Sequence, residues 1–125
     1  MNTTEITTQN FNEVFTREGI VFVDWWAPWC GPCRMFAPVF EAAAARHRDI
    51  TFGKVNTDTQ SALAGAFNIR SIPTLMVFRD GILLYEQPGL VQGAALDRLA
   101  QQIRAVDMNE VRRSLDEESP AQHAG

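Results

Sequence analysis

Residues 20–33 read IVFVDWWAPWCGPC, an apolar run that ends in two cysteines separated by two residues. The run from Ile20 to Trp26 is almost entirely β-branched or aromatic, which is typical of a strand buried on both faces of a sheet. Pro32 suits the first turn of a helix, because its φ angle is already close to the helical value. The stretch therefore predicts a buried strand, a tight loop, and a helix that opens at the cysteine pair.

The cysteine pair has the spacing of a redox switch. Three residues apart on a helix, Cys30 and Cys33 lie on one face with their Cβ atoms about 5–6 Å apart, close enough to form a disulfide. Cys30 is expected at the helix N-terminus, where free N–H groups and the helix dipole stabilise a thiolate. Cys33 is expected one turn deeper and buried. This contrast suits an exposed attacking thiol and a protected resolving thiol.

Other uses of the two cysteines remain open at this point. A structural zinc site takes four ligands, and the only histidines, His47 and His123, lie far along the chain. An inert disulfide would close a loop of only four residues and would constrain little of the unfolded chain. Two ordinary core cysteines are the third alternative. Redox chemistry is the interpretation that the spacing and position favour.

Asp24 interrupts the apolar strand six residues before Cys30. A buried carboxylate is costly unless it is paired, and burial raises its pKa. Such a group could take the proton from Cys33 as that thiol becomes a nucleophile. The alternative is a strand end that reaches solvent. Lys54 is a plausible neighbour across the sheet, unless its ammonium extends to the surface.

All three tryptophans precede Cys33 within eight residues. Core packing is the favoured interpretation for Trp25 and Trp26, whereas Trp29 is expected to line the site. The Ile72-Pro73 bond gives no reason, from the sequence alone, to expect a cis peptide.

The remaining elements follow from changes in apolar spacing. They are a short edge strand at 5–7, a helix over 9–17 capped by Thr8, a helix over 34–48 interrupted by Pro38, a strand at 50–56, a helix over 60–67, strands at 74–79 and 82–87 joined by Asp80-Gly81, and a last helix through 96–106. This order predicts an α/β fold with a mixed sheet and helices on both faces.

Composition limits the class of protein. The chain has 125 residues, 46% of them hydrophobic, and a net charge of −4. It can bury a core, so disorder is excluded, and its charge argues against a nucleic-acid or anionic-membrane partner. No run approaches the ~18 apolar residues of a membrane span, and residues 1–10 lack the features of a signal peptide. The sequence therefore predicts a cytoplasmic protein.

Residues 107–125 differ from the rest, with five acids and two arginines. We interpret residues 1–106 as one domain and residues 107–125 as an acidic C-terminal extension, partly helical or disordered.

The segment Trp29-Cys30-Gly31-Pro32-Cys33, preceded by Val23-Asp24 and followed by Ile72-Pro73-Thr74, closely resembles the thioredoxin family over about residues 3 to 105. The resemblance implies a central mixed five-stranded sheet flanked by four helices. It also implies a reductase of client protein disulfides that a thioredoxin reductase recharges, with no metal and no organic cofactor. A monomer is expected, with no nucleic-acid or membrane partner.

The same resemblance implies roles for individual residues. Cys30 would be the nucleophile, Cys33 the resolving thiol, and Asp24 the buried proton-transfer group with Lys54 beside it. The residues that would form the shallow client-binding surface are Trp29, Gly31, Pro32, Gly89 and a cis-proline loop at Ile72-Pro73.

Some positions depart from the family pattern. They are Trp25, Pro28, Thr57, Pro88, Leu90 and the extension beyond about residue 106. These affect client preference rather than the chemistry. Three other functions stay open: an oxidant or isomerase on the same fold, a binding module in which redox is incidental, and a pair of chains that share an iron–sulfur cluster.

Overall fold

The computed structural model describes residues 2–123, and side chains as far as residue 118. Its elements are β1 (Thr3–Glu5), α1 (Phe11–Thr16), β2 (Ile20–Trp26), α2 (Gly31–Arg46), β3 (Thr51–Asn56), α3 (Ser61–Ala66), β4 (Thr74–Arg79), β5 (Ile82–Pro88), α4 (Gly93–Arg104) and α5 (Met108–His123). The strand order is β1-β3-β2-β4-β5. β1 and β2 are parallel to β3, whereas β4 is antiparallel to both β2 and β5. The mixed five-stranded sheet is thus confirmed, with β2 at its centre.

Side chains of β2 alternate between two apolar clusters, one on each face of the sheet. On one face, Phe22 packs with Phe36 and Phe40 of α2 and with apolar residues of α4. On the other face, Val23 and Trp25 pack with residues of α1 and α3. Because both faces are covered, six of the seven residues of β2 are buried, as its composition predicts.

The hairpin between β4 and β5 turns at Asp80 and Gly81, as predicted. Their φ angles are 52° and 82°, in the left-handed region that this dipeptide tolerates in a two-residue turn. The Asp80 carboxylate also accepts a hydrogen bond from the backbone N–H of Gly19, at 2.8 Å. The turn therefore fixes the start of the central strand.

The predicted start of the first helix is wrong. Thr8 does not cap it, and the helix begins at Phe11 without a side-chain cap. Instead, the side chain of Asn10 accepts from the backbone of Thr7 at 2.8 Å and donates to the carbonyl of Glu5 at 2.9 Å. Its amide joins the end of β1 to the turn before α1 through local side-chain-to-backbone hydrogen bonds, which compete with helix capping.

The expectation of four helices is also corrected, because the described residues contain five. The additional helix, α5, follows the end of α4 and lies in the C-terminal extension. The guanidinium of Arg79 donates to the carbonyls of Ile103 and Val106 at 2.8 and 2.9 Å, where the two helices meet. Met108 is buried, and Arg112 pairs with Asp80 at 3.0 Å. These contacts attach α5 to the hairpin.

Gly53 on β3 packs closely against Ile6, the residue that follows β1, and a substitution there tests this packing. A Cβ at this position would overlap Cδ1 of Ile6 and lie 2.9 Å from its Cγ1, and Ile6 is fully buried. We expect Gly53→Ala to lower the free energy of unfolding by about 1–3 kcal/mol, because the overpacked core must shift. Urea denaturation monitored by circular dichroism measures this loss.

A matched control is Gly65→Ala in α3, where an added Cβ meets no atom within 4 Å. This substitution should raise stability by about 0.5 kcal/mol, since it restricts the unfolded chain. In an Ile6→Val background, which lacks Cδ1, the cost of Gly53→Ala should fall. A cost of Gly53→Ala that is unchanged in that background would contradict the proposed clash.

Candidate functional site

Cys30 and Cys33 form a disulfide at the start of α2, with their Cα atoms 5.2 Å apart. Cys30 is the N-cap residue, and the backbone N–H of Cys33 donates to its Sγ atom at 3.2 Å. The carbonyl of Cys30 accepts from the backbone of Arg34 at 3.1 Å, the first bond of the helix. The pair therefore occupies the N-terminus of α2, as the sequence predicts, with the N–H of Cys33 directed at the Cys30 sulfur.

The expected contrast between an exposed Cys30 and a buried Cys33 is wrong for the disulfide form. Cys30 is 5% exposed and Cys33 is 2% exposed. Ala27 forms a buried cluster with the two cysteines, and Trp26 and Ile72 pack against this cluster. The segments that cover the disulfide come from the end of β2 and from the loop before β4, which explains why helical position alone overestimates the exposure of Cys30.

The loop before β4 meets the disulfide through its backbone. The Ile72-Pro73 peptide bond is cis, and the carbonyl oxygen of Ile72 lies 3.7 Å from Cys30 Sγ. The carbonyl of Pro73 accepts from the N–H of Gly89 at 2.8 Å, and Gly89 has a φ of 95° that favours glycine. The structure thus brings Ile72, Pro73 and Gly89 together beside the cysteines.

Trp29 is the most exposed large apolar side chain of the described residues, at 67%. Its indole N–H donates to the carboxylate of Asp58 at 3.1 Å, so the ring is held at the surface next to Cys30. Sequence reasoning missed Asp58. The available signal was its place just after β3, since the carboxyl ends of β2 and β3 lie at the same edge of the sheet.

Asp24 is fully buried near the carboxyl end of β2. It is two residues from both Phe22 and Trp26 and shares their face of the sheet, so it projects from the face that α2 covers. No hydrogen-bond partner for either carboxylate oxygen is found within residues 2–118. Burial raises its pKa from the usual 3.8 to about 7, although the charge of Lys54 opposes this effect. The alternative of a strand end that reaches solvent is therefore excluded.

Lys54 lies beside Asp24 in the register of β2 and β3. Its Nζ atom is 4.7 Å from the centroid of the Trp26 ring, a cation–π contact. Trp26 is half-buried and packs against the buried cluster of Ala27, Cys30 and Cys33. Core packing is therefore correct for Trp25, which is fully buried, and holds in part for Trp26, whose ring also contacts the ammonium.

Two further properties concern the described residues as a whole. None of their helices is both long and apolar enough to cross a membrane. Within the same residues, no group of three or more His, Cys, Asp or Glu side chains is arranged to hold a metal ion.

The chain has relatives among proteins of known sequence. The sequence model of the thioredoxin family matches residues 2–105. A putative thioredoxin 2 of Streptomyces coelicolor is 46% identical over 117 residues, which are 94% of this chain and 87% of that protein. The thioredoxin of Porphyra purpurea is 46% identical over 83 residues, 65% of this chain and 78% of the other.

Solved structures agree with the sequence comparison. The crystal structure of Malassezia sympodialis thioredoxin, Mala s 13, superposes with a TM-score of 0.72 and 32% identity, covering 80% of this chain and 89% of that one. A structure from work on thiol resolution in yeast mitochondrial 1-Cys peroxiredoxin has a TM-score of 0.73 at 24% identity, covering 80% and 94% of the two chains. The second likeness concerns the fold alone.

Proposed function

Since the chain belongs to the thioredoxin family, we propose that it reduces disulfide bonds in client proteins and is recharged by a thioredoxin reductase. Its family makes it a thiol–disulfide oxidoreductase, and its redox-active pair is Cys30 and Cys33. The observation that carries the proposal is this disulfide at the N-terminus of α2, next to a backbone carbonyl of the cis-proline loop.

In the proposed reaction, the Cys30 thiolate attacks one sulfur of the client disulfide and the other client sulfur leaves as a thiolate. The product is a mixed disulfide between Cys30 and the client. The Cys33 thiolate then attacks the Cys30 sulfur, which releases the second client sulfur as a thiolate. Two electrons pass from the dithiol to the client, and Cys30 and Cys33 finish as the observed disulfide.

Asp24 is proposed to take the proton of the Cys33 thiol before the second attack. Two features support this role. Its side chain projects towards α2, the helix that carries Cys33, and its pKa of about 7 suits exchange of a proton near neutral pH. Lys54 is proposed to limit the rise of that pKa, because its positive charge favours the ionised carboxylate.

The proposed client-binding surface surrounds the disulfide. Backbone groups of the cis-proline loop can bond an extended client segment, and the exposed ring of Trp29 supplies apolar contact area. The residues proposed to form it are Trp29, Gly31, Pro32, Ile72, Pro73 and Gly89. Since both sulfurs are buried, the client must approach through this surface.

Gly31 and Pro32 favour the reducing direction over the oxidising one. Neither residue between the cysteines carries a charge or an imidazole that would strongly stabilise the Cys30 thiolate. A strongly stabilised thiolate would make the disulfide more oxidising. An oxidant or isomerase on the same fold is the second candidate, because it would use the same pair of cysteines.

We further propose a cytoplasmic, monomeric protein that uses no organic cofactor or metal, with residues 1–106 as the catalytic domain and residues 107–125 as an extension. A dithiol reductant needs a compartment that keeps thiols reduced, which supports the location. The family match ends at residue 105, which supports the boundary. Sedimentation equilibrium tests the monomer, and a dimer mass would contradict it.

The reduction potential of the pair tests the proposed direction. Tryptophan emission should follow the transition in dithiol redox buffers, because Trp26 packs against the buried cluster that contains both cysteines and Trp29 is next to Cys30 in the chain. We expect a potential below that of the cytosolic glutathione pool. A potential at or above that pool would favour the oxidant or isomerase. The Cys33→Ser variant is the control and should show no transition.

A further inference from the structure

A pocket of about 210 Å³ continues the proposed client-binding surface towards α3. It shares Trp29 and Ile72 with that surface, and the carbonyl oxygen of Ile72 lies 3.7 Å from Cys30 Sγ. A client segment bonded at the cis-proline loop therefore has this pocket beside it. The other residues that line the pocket include Thr57, Ala64, Ile69 and Arg70.

The part of the pocket wall that carries Arg70 follows directly from the end of α3. The N–H of Ile69 donates to the carbonyl of Ala64 at 3.0 Å. The N–H of Asn68, which has a φ of 57°, donates to the carbonyl of Gly65 at 3.1 Å. Two such bonds around a left-handed residue form a Schellman motif, which ends a helix in a defined backbone conformation. The backbone that leads to Arg70 is therefore fixed before a client binds.

Arg70 is the only charged residue that lines this pocket in the part of the chain that the structure describes. Its side chain is exposed and forms no ion pair with any described carboxylate. The carboxylate of Asp58, on the Trp29 side of the pocket, accepts from the indole N–H of Trp29 rather than from Arg70. An unpaired guanidinium can bind a carboxylate through two parallel N–H···O bonds. The pocket thus offers a client segment an available cation.

We propose that Arg70 is a specificity-determining residue, which favours client segments that carry an acidic side chain about two positions from the cysteine. The inference rests on the proposed reduction of client disulfides, and it names a class of client for that reaction. The sequence alone gives Arg70 no function, because it lies about 40 residues from Trp29 along the chain and only the fold brings the two to one pocket.

The spacing from the client cysteine follows from the reach of the two chains. Arg70 precedes Ile72 by two residues, so their Cα atoms are at most about 7 Å apart. An extended client segment along the loop advances about 3.3 Å per residue, and its cysteine meets Cys30 beside the Ile72 carbonyl. An acidic side chain two positions away therefore comes within reach of the Arg70 guanidinium. A lysine at the same position would meet a like charge, which weakens association.

The test is single-turnover reduction of synthetic peptides, each closed by one disulfide and free of tryptophan. The peptides differ only in having glutamate or lysine two positions from one cysteine, placed before it in one pair and after it in a second pair. The protein is reduced first, and stopped-flow tryptophan emission at low salt gives the second-order rate constant. In at least one placement, we expect the wild type to reduce the glutamate peptide about 5- to 10-fold faster than the lysine peptide, an effect typical of exposed charge pairs.

Arg70→Gln should lower this preference to less than about twofold, and Arg70→Glu should reverse it. The matched control is Arg98→Gln in α4, which packs on the opposite face of the sheet from α3. Arg98 is also exposed and has no ion pair among the described side chains. This variant should keep the preference of the wild type.

Equal rates for the glutamate and lysine peptides in the wild type would overturn the selection by Arg70, and so would a preference for glutamate that survives in Arg70→Glu. Failure of the proposed function gives a different result. If the reduced protein reacts with none of the peptides, the proposed reaction is absent and the inference falls with it.

Discussion

Replacing Cys33 with serine is expected to trap a covalent complex between Cys30 and a client protein. Attack by the Cys30 thiolate requires only that thiol and the client-binding surface. Release requires a second thiolate, and a serine hydroxyl cannot supply one near neutral pH. We therefore expect multiple-turnover reduction to fall by about 1,000-fold or more, while one equivalent of mixed disulfide accumulates. Non-reducing electrophoresis and intact-mass spectrometry measure the complex.

The matched variant is Cys30→Ser, which should form no complex and should also lack turnover. If the assignment of the two roles is reversed, Cys30→Ser will trap the client instead. If the Cys33→Ser protein continues to turn over, the resolving thiol lies elsewhere, contrary to the proposed mechanism. A double variant that retained its biological function would favour a binding module in which the disulfide is incidental.

Local physical rules were sufficient for the elements whose signals lie within a few residues. The run Ile20–Trp26 favoured a buried strand, because its β-branched and aromatic residues fit a surface covered on both sides. The pair Asp80-Gly81 predicted its turn for a similar reason, since few other residues accept its backbone angles. Likewise, Pro32 and the cysteine spacing placed Cys30 and Cys33 at a helix N-terminus.

Features that depend on residues distant in sequence were not predictable in this way. The burial of Cys30 depends on the cis-proline loop, which is about 40 residues away along the chain. The bond between Trp29 and Asp58 depends on where two strands end. The position of Glu5 beside Lys54 depends on the register between β1 and β3. In each case the sequence supplied the residues, and the topology of the sheet determined their neighbours.

The acidic extension was predicted to be partly helical or disordered. In the structure, α5 extends over Met108–His123 in the described residues. Met108 is buried against the domain, and Asp107 accepts from the backbone of Asn109 at 3.0 Å. The composition of all 19 residues changes little with one buried methionine and one capping aspartate, although these two residues stabilise the start of the helix.

Replacing Asp24 with asparagine is expected to raise the free energy of unfolding strongly above neutral pH and to change it little at pH 4. In the folded protein the pKa of Asp24 is raised from 3.8 to about 7 by burial. Between these values the folded state binds more protons than the unfolded state, so stability falls as the pH rises through this window. The total loss is about 4 kcal/mol above pH 8. Asparagine cannot ionise and should avoid this loss.

Urea denaturation from pH 4 to pH 9 measures both curves. The wild-type curve should decline between about pH 4 and pH 7, whereas the curve of Asp24→Asn should lack that decline. Lys54→Met is the control that moves the effect in the opposite direction: without the ammonium, the pKa of Asp24 should rise further, and the decline should extend to higher pH. A wild-type curve without a decline would show that Asp24 is not a buried, raised carboxyl group.

The same substitution should separate stability from activity. Asparagine has nearly the shape of aspartate but cannot accept the Cys33 proton, so resolution of the mixed disulfide should slow by about 100-fold near pH 7. Formation of the mixed disulfide by Cys30 should be less affected, because that step does not use the carboxylate. Stopped-flow measurement of the two phases distinguishes them. If Asp24→Asn is more stable and still resolves the mixed disulfide as fast as the wild type, Asp24 does not take part in the mechanism. The loss of stability caused by burying its carboxylate would then have no role in catalysis.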